Sequence, residues 1–129
     1  MIVVEDLRIA TMTRRPAPRP DPGGGFAANG AAAKTGLNKS ILDAGWGTFI
    51  AMLTYKAEDA GRELIAVNPR HTSQTCSRCG LLDSQSRHGT RFRCARCGHH
   101  DHADVNAAVN ILRAGQALRL EREANRTIA

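Results

Sequence analysis

Hydrophobic positions in this chain come in short runs separated by long polar stretches, so it reads as a series of discrete elements. Ile2-Val3-Val4 is β-branched and runs into the acidic pair Glu5-Asp6, which predicts a short buried strand reaching toward Ile9. Residues 13–36 carry Arg14-Arg15-Pro16 and then a Pro/Gly run through Gly25; this composition predicts a flexible linker with neither a helix nor a central strand. Periodicity resumes at Leu37. Ser40 is placed to cap a helix, Asp43 completes an approximate capping box, and Leu42, Trp46, Phe49, Leu53 and Ala60 recur at helical spacing until Gly61. Gly45 and Gly47 would each cost about 1 kcal/mol inside that helix, which predicts close packing against them.

Leu64-Ile65-Ala66-Val67 predicts a second buried strand, ended by Asn68-Pro69. Near the end of the chain, Asp104 is placed to cap a helix whose apolar face is Val105, Ala108, Val109 and Leu112. Gly115 is expected to break that helix and leave residues 116–129 as a polar tail. Only two strands emerge, and two interior-type strands make no sheet with covered faces and protected edges. The deficit predicts that the chain is a piece of a larger α/β domain or pairs with a second copy.

Between the second strand and the last helix lie two near-identical knuckles, Cys76-Ser77-Arg78-Cys79-Gly80 and Cys94-Ala95-Arg96-Cys97-Gly98, across a fourteen-residue gap. Each knuckle turns tightly enough to present two thiolates, and four thiolates complete the tetrahedron that zinc prefers. Gly80 and Gly98 stand where the turn needs a positive φ. With all four positions filled by cysteine, the metal keeps no open site, so its role is folding. Two disulfides would need an oxidising compartment, and Met1-Ile2-Val3-Val4-Glu5 lacks the basic region and apolar run of an export signal. A redox Cys-x-x-Cys needs no duplicate, whereas an iron–sulfur cluster accepts the same four ligands.

The formal charge is +6, and residues 70–97 hold six arginines against one acid, Asp83. Part of that charge answers the dianionic metal–tetrathiolate. The excess points to a polyanionic partner, for which the planar arginine fork is well shaped, and Arg91 and Arg93 are the candidate contacts; the alternative is a basic surface that only keeps the chain soluble. Aromatic residues make up 4% of the chain, which argues against a base-stacking platform. No run approaches the ~18 apolar residues of a membrane span, so a soluble, cytoplasmic protein is expected. His99, His100 and His102 are read as solvent-exposed or phosphate-facing, since four cysteines already suffice for the metal.

Glu5 ends the first strand and Asp104 starts the last helix. Carboxylates at such positions can converge to hold Mg²⁺ or Mn²⁺ for phosphodiester hydrolysis, but each also has a plain role, closing a strand or capping a helix. A family resemblance bears on the choice. Ile2-Val3-Val4-Glu5-Asp6-Leu7, Gly45-Trp46-Gly47 with Leu53-Thr54-Tyr55-Lys56-Ala57, and Val67-Asn68-Pro69 before the first knuckle occur in a familiar order. With the second knuckle and Asp104-Val105-Asn106-Ala107-Ala108, they resemble the C-terminal part of the TnpB-type transposon proteins, insertion-sequence RNA-guided nucleases related to type V CRISPR effectors.

The resemblance implies an α/β fold: an incomplete RuvC-like (RNase H-type) domain with an inserted four-cysteine zinc ribbon. It implies a partial RuvC-like domain over residues 1–69, the ribbon over 70–102, a final helix over 103–115 and a tail over 116–129. It implies that Glu5 and Asp104 match the second and third catalytic carboxylates and that Cys76, Cys79, Cys94 and Cys97 match the zinc ligands, with Asp101 outside the metal set. The family's first catalytic aspartate, in an Asp-x-Gly context on an earlier strand, has no counterpart here. The expectation is therefore a transposon-encoded, nucleic-acid-binding portion of a transposase-like DNA endonuclease, with structural zinc, Mg²⁺ or Mn²⁺ at Glu5 and Asp104, and nuclease activity lost or incomplete. DNA is the expected partner, together with a guide RNA. The alternatives are a nuclease assembled with an upstream fragment or as a homodimer, and a stand-alone zinc-ribbon adaptor.

Overall fold

The computed structural model describes residues 1–128. In chain order it contains β1 (Ile2–Glu5), α1 (Ile9–Met12), β2 (Arg19–Pro20), β3 (Phe26–Ala27), α2 (Ala31–Asp43), α3 (Trp46–Asp59) and β4 (Leu64–Val67). A 3-10 turn (Ser84–Ser86), β5 (Arg87–His88), β6 (Arg91–Arg93), β7 (His100–His102) and α4 (Ala103–Ile128) follow. The chain divides into two compact units, one of Met1–Leu7 with Arg62–Ala129 and the other of Arg8–Gly61.

In the first unit β1 and β4 pair in parallel, Ile2 opposite Leu64 through Glu5 opposite Val67, as their β-branched runs predict. Ile65 and Val67 are buried and Ala66 is exposed, the alternation of a strand covered on one side. Among the described residues these two strands pair only with each other, so the shortage of strands expected from the sequence is present in the fold. The cover comes from α4, which packs on both strands.

That helix departs from expectation in two ways. It does not stop at Gly115 but continues to Ile128, taking in the residues expected to form a polar tail. A helical glycine costs about 1 kcal/mol relative to alanine, yet here its missing side chain is what lets α4 lie on β1. A Cβ at Gly115 would stand 2.4 Å from Val3 Cγ2 and 2.6 Å from Val3 Cγ1. The turns beyond it are tied down by ion pairs from Arg122 to Glu63 at 3.4 Å and from Arg119 to Glu123 at 2.9 Å. The buried face is also not the apolar one. Ala103, Asn106, Ala107 and Gly115 are buried, while Val105 and Leu112 are 49% and 44% exposed. Close approach to a strand and to an irregular loop selects small and hydrogen-bonding residues over large apolar ones. Asp104 sits within the first turn rather than capping it, where its charge still suits the helix dipole.

The rest of this unit is a three-stranded antiparallel sheet in the order β5-β6-β7, preceded by the first cysteine knuckle. Its core is Phe92, Cys76, Cys94 and Ala103, with Cys79 and Leu81 packed against them. Two of the four cysteines thus double as core residues.

The second unit corrects the linker. Residues 13–36 contain the short β2–β3 hairpin, Arg19 opposite Ala27, and the first turns of α2, which begins at Ala31. An Ala31-Ala32-Ala33 start has the highest helix propensity available and outweighs the glycines before it. Ser40 lies inside α2 with its hydroxyl on the Gly36 carbonyl at 3.2 Å, so it is no cap. Gly45, at φ +61°, separates α2 from α3, and a Cβ at Gly45 or Gly47 would meet nothing within 4 Å. The two glycines therefore break one expected helix into two and mark no close packing. Gly61, at φ +61°, follows the end of α3 as expected.

Candidate metal centre and acid cleft

The two knuckles fold by the same local rule. In the first, the Cys76 N–H donates to the Leu81 carbonyl at 2.8 Å and the Gly80 N–H to the Cys76 carbonyl at 2.9 Å. In the second, the Cys94 N–H donates to the His99 carbonyl at 2.8 Å and the Gly98 N–H to the Cys94 carbonyl at 3.1 Å. Gly80 and Gly98 have φ of +73° and +70°, the left-handed conformation that glycine takes at little cost.

These turns bring the four sulfurs within 4.8 Å of one another. Cys76 Sγ lies 3.7 Å from Cys97 Sγ, and Cys79 Sγ lies 3.6 Å from Cys94 Sγ. A tetrahedron with metal–sulfur bonds of about 2.3 Å has edges of about 3.8 Å, so the thiols stand where one zinc ion needs them. The site's electrostatics anticipate a cation. The Leu81 N–H, with Cys97, Arg96 and Cys94 acting against burial, holds the Cys79 thiol down at about 6. At Cys97 the His99 N–H pulls the same way, but burial and the hydrogen bonds with Cys79, Cys94 and Cys76 prevail and push it up to about 11. The Cys79 thiolate thus forms readily while Cys97 resists following it, a repulsion that a bound cation removes. Arg96 also donates to the Cys79 carbonyl, and the same thiolate raises its guanidinium pKa.

Glu5 and Asp104, at opposite ends of the sequence, line one cleft of about 410 Å³ with Pro69, Thr72, Ser73 and Arg87. The parallel register puts Glu5 at the end of β1, and Asp104 stands in the first turn of α4. Glu5 Oε1 accepts from the Thr72 hydroxyl at 2.8 Å. Asp104 Oδ1 pairs with Arg87 at 3.3 Å, and its Oδ2 lies 3.8 Å from His102 Nδ1. Oxygen donors of this kind suit a hard divalent cation, which would compete with Arg87 for Asp104. Thr72, in the Thr72-Ser73 pair that precedes the first knuckle in the resembling motif, and Arg87 are given no role by the sequence; only the fold carries them into the cleft. Asp101 lines a different hollow.

That second hollow, of about 810 Å³, is lined by Arg91, Phe92, Arg93, Gly98, His100, Asp101 and His102. Strand alternation turns Phe92 into the core and sends Arg91 and Arg93 to the opposite face, both exposed. The register sets His88 and His102 on either side of Arg91, and His100 opposite Arg93. Two guanidinium groups and three imidazoles therefore share one face, while Asp101, paired with Phe92, alternates to the other.

Set beside known proteins, residues 46–111 match the family described as Cas12f1-like, TNB domain, a span of just over half of the 129 residues. The chain belongs to this family. The matched span holds all four cysteines and Asp104 but not Glu5. InsQ of Escherichia coli (strain K12) is 42% identical over 119 residues, 92% of this chain and 29% of that protein. The CRISPR-associated endodeoxyribonuclease Cas12f1 of Sulfoacidibacillus thermotolerans is 50% identical over 60 residues, 46% of this chain and 14% of that one. The TnpB-like protein L79 of Acanthamoeba polyphaga mimivirus is 32% identical over 82 residues, 64% of this chain and 16% of that one. The resemblance to TnpB-type proteins drawn from the motifs is thus borne out, and the chain spans less than a third of the length of these relatives.

Proposed function

We propose that this chain is the portion of an RNA-guided DNA endonuclease that carries two carboxylates of the divalent-metal site, set in an incomplete RuvC-like fold beside a zinc-held ribbon that grips nucleic acid. The observation that carries this reading is the cleft, whose lining takes in both Glu5 and Asp104 although 98 residues lie between them in the chain. InsQ and Cas12f1 are named as DNA endonucleases, and this chain covers a minor part of each. Cys76, Cys79, Cys94 and Cys97 hold zinc as a folding element, since the protein fills every coordination position. A Mg²⁺ or Mn²⁺ ion between Glu5 and Asp104 would supply water activation and neutralise developing charge. Arg87, displaced from Asp104, then faces phosphate. Two carboxylates do not hold a two-metal centre, so the chain by itself binds nucleic acid and leaves it uncut.

Manganese uptake tests the cleft. The zinc-loaded chain should bind Mn²⁺, followed by loss of the free-ion electron paramagnetic resonance signal, and E5Q and D104N should each abolish it. A wild-type chain that takes up no Mn²⁺ refutes the cleft as a metal site. The cationic face, which lies wholly within the ribbon, favours a second reading as a zinc-ribbon adaptor. If E5Q and D104N bind DNA as the wild type does and no cleavage appears with any added partner, the adaptor reading stands.

A further inference from the structure

Asn106 is fully buried in the first turns of α4, a costly place for an amide unless both its ends are paired. They are. Its Oδ1 accepts from the Ser77 N–H at 2.9 Å, and its Nδ2 donates to the Thr75 carbonyl at 2.8 Å. Those two residues flank Cys76, itself 1% exposed. One turn on, Asn110 Nδ2 donates to the Thr72 carbonyl at 2.9 Å and the Thr75 carbonyl at 2.7 Å, and Arg113 donates to the Ser77 carbonyl. Helical spacing puts all three side chains on one face, so α4 grips residues 72–77 along their length.

The gripped segment has a distinct function at each end. Thr72 donates its hydroxyl to Glu5 in the acid cleft, and Cys76 is a thiol of the metal centre. The gripping helix carries Asp104 in its first turn. We infer that Asn106 is a positioning residue for the four-thiol centre and that the Asn106–Asn110 clamp passes metal occupancy there to the turn of α4 that bears Asp104. By fixing the peptide planes on both sides of Cys76, Asn106 holds its sulfur in the ligating orientation before the metal arrives. The metal in turn holds Cys76, and through the two asparagines steadies the start of α4. This rests on the reading of the thiols as a zinc site.

Competition with a chromophoric chelator measures zinc affinity in the full chain, and circular dichroism reports folding. N106A should bind zinc about 10–100-fold more weakly, the usual effect of removing a group that orients a ligand. N106D keeps the acceptor for the Ser77 N–H and loses the donor to Thr75, so where it folds it too should bind zinc more weakly than wild type, which keeps the test open if N106A does not fold. V105A, at an exposed neighbour, should match wild type. Hydrogen exchange should rise across residues 103–110 when zinc is stripped from wild type. A folded N106A with wild-type zinc affinity, or a folded N106D no weaker than wild type, overturns the positioning role. Unchanged exchange overturns the coupling. A wild-type chain that binds no zinc brings down the metal reading itself, a result distinct from these.

Discussion

Replacing Gly115 by alanine sets two effects of opposite sign against each other. Alanine is favoured over glycine inside a helix by about 1 kcal/mol. Against this, the new methyl would stand 2.4 Å from Val3 Cγ2, 2.6 Å from Cγ1 and 3.1 Å from Cβ. Ordinary carbon contacts lie at about 3.5–4.0 Å, so helix and strand would have to part by about 1 Å. Val3 cannot swing away, because its branched side chain is stiff and its backbone is held in register opposite Ile65. Overpacking typically costs about 1–3 kcal/mol, and contacts this short belong at the upper end. The net expectation is a destabilisation of about 1–2 kcal/mol. Urea unfolding of the zinc-loaded chain, followed through the amide resonances of β1 and β4, measures it. Val3→Ala in the G115A background should recover part of the loss and expose the coupling as a double-mutant cycle. By contrast, Gly36→Ala in α2, where an added Cβ meets nothing within 4 Å, should stabilise its own helix by up to ~1 kcal/mol. A G115A chain as stable as wild type would refute the claim that glycine sets the helix–strand distance.

The metal centre yields two further expectations. Cys79→Ser should abolish stoichiometric zinc binding and leave residues 76–97 less stable than in the zinc-loaded chain, since a bound metal adds folding energy and Cys79 also packs against the ribbon core; a zinc-free variant as stable as the zinc-loaded wild type counts against it. In the metal-free chain, Cys79 should be alkylated by iodoacetamide with a midpoint near pH 6, ahead of the more exposed Cys97, whose thiol is pushed up to about 11. The sign follows from linkage: a thiol lowered from 9.0 to about 6 on folding stabilises the metal-free fold above pH 9, and that contribution is lost as pH falls through about 6. Peptide mapping that finds Cys97 modified first would reverse the assignment. Neutralising Arg91 and Arg93 together should weaken DNA binding across all sequences and reduce the slope of log affinity against log salt by about 1.4–1.8. An unchanged slope, read by fluorescence anisotropy, moves the contact surface elsewhere.

The parts of this protein legible in the sequence are those governed by neighbours in the chain. Two cysteines three residues apart with a glycine after the second define a knuckle whose backbone must close on itself, and both knuckles do. The runs Ile2-Val3-Val4 and Leu64-Ile65-Ala66-Val67 form strands and pair with each other because little else in the chain suits a buried extended segment. The linker reading failed at Ala31 because proline and glycine were weighed over residues 13–36 as a block, while helix formation is decided turn by turn.

The sequence by itself determined the four-thiol motif, the two strands, the basic ribbon and the family to which they point, since each is a matter of residue type and short spacing. Only the tertiary structure decided which face of α4 is buried, because that depends on how near a strand and a loop lie. The apolar count favoured Val105 and Leu112, and the fold chose Ala107, Gly115 and an asparagine able to satisfy buried backbone groups. Only the fold, too, brought Glu5 and Asp104 into one cleft and delivered Thr72 and Arg87 to them. Convergence of distant positions is set by the packing of helix on strand, and no local pattern encodes it.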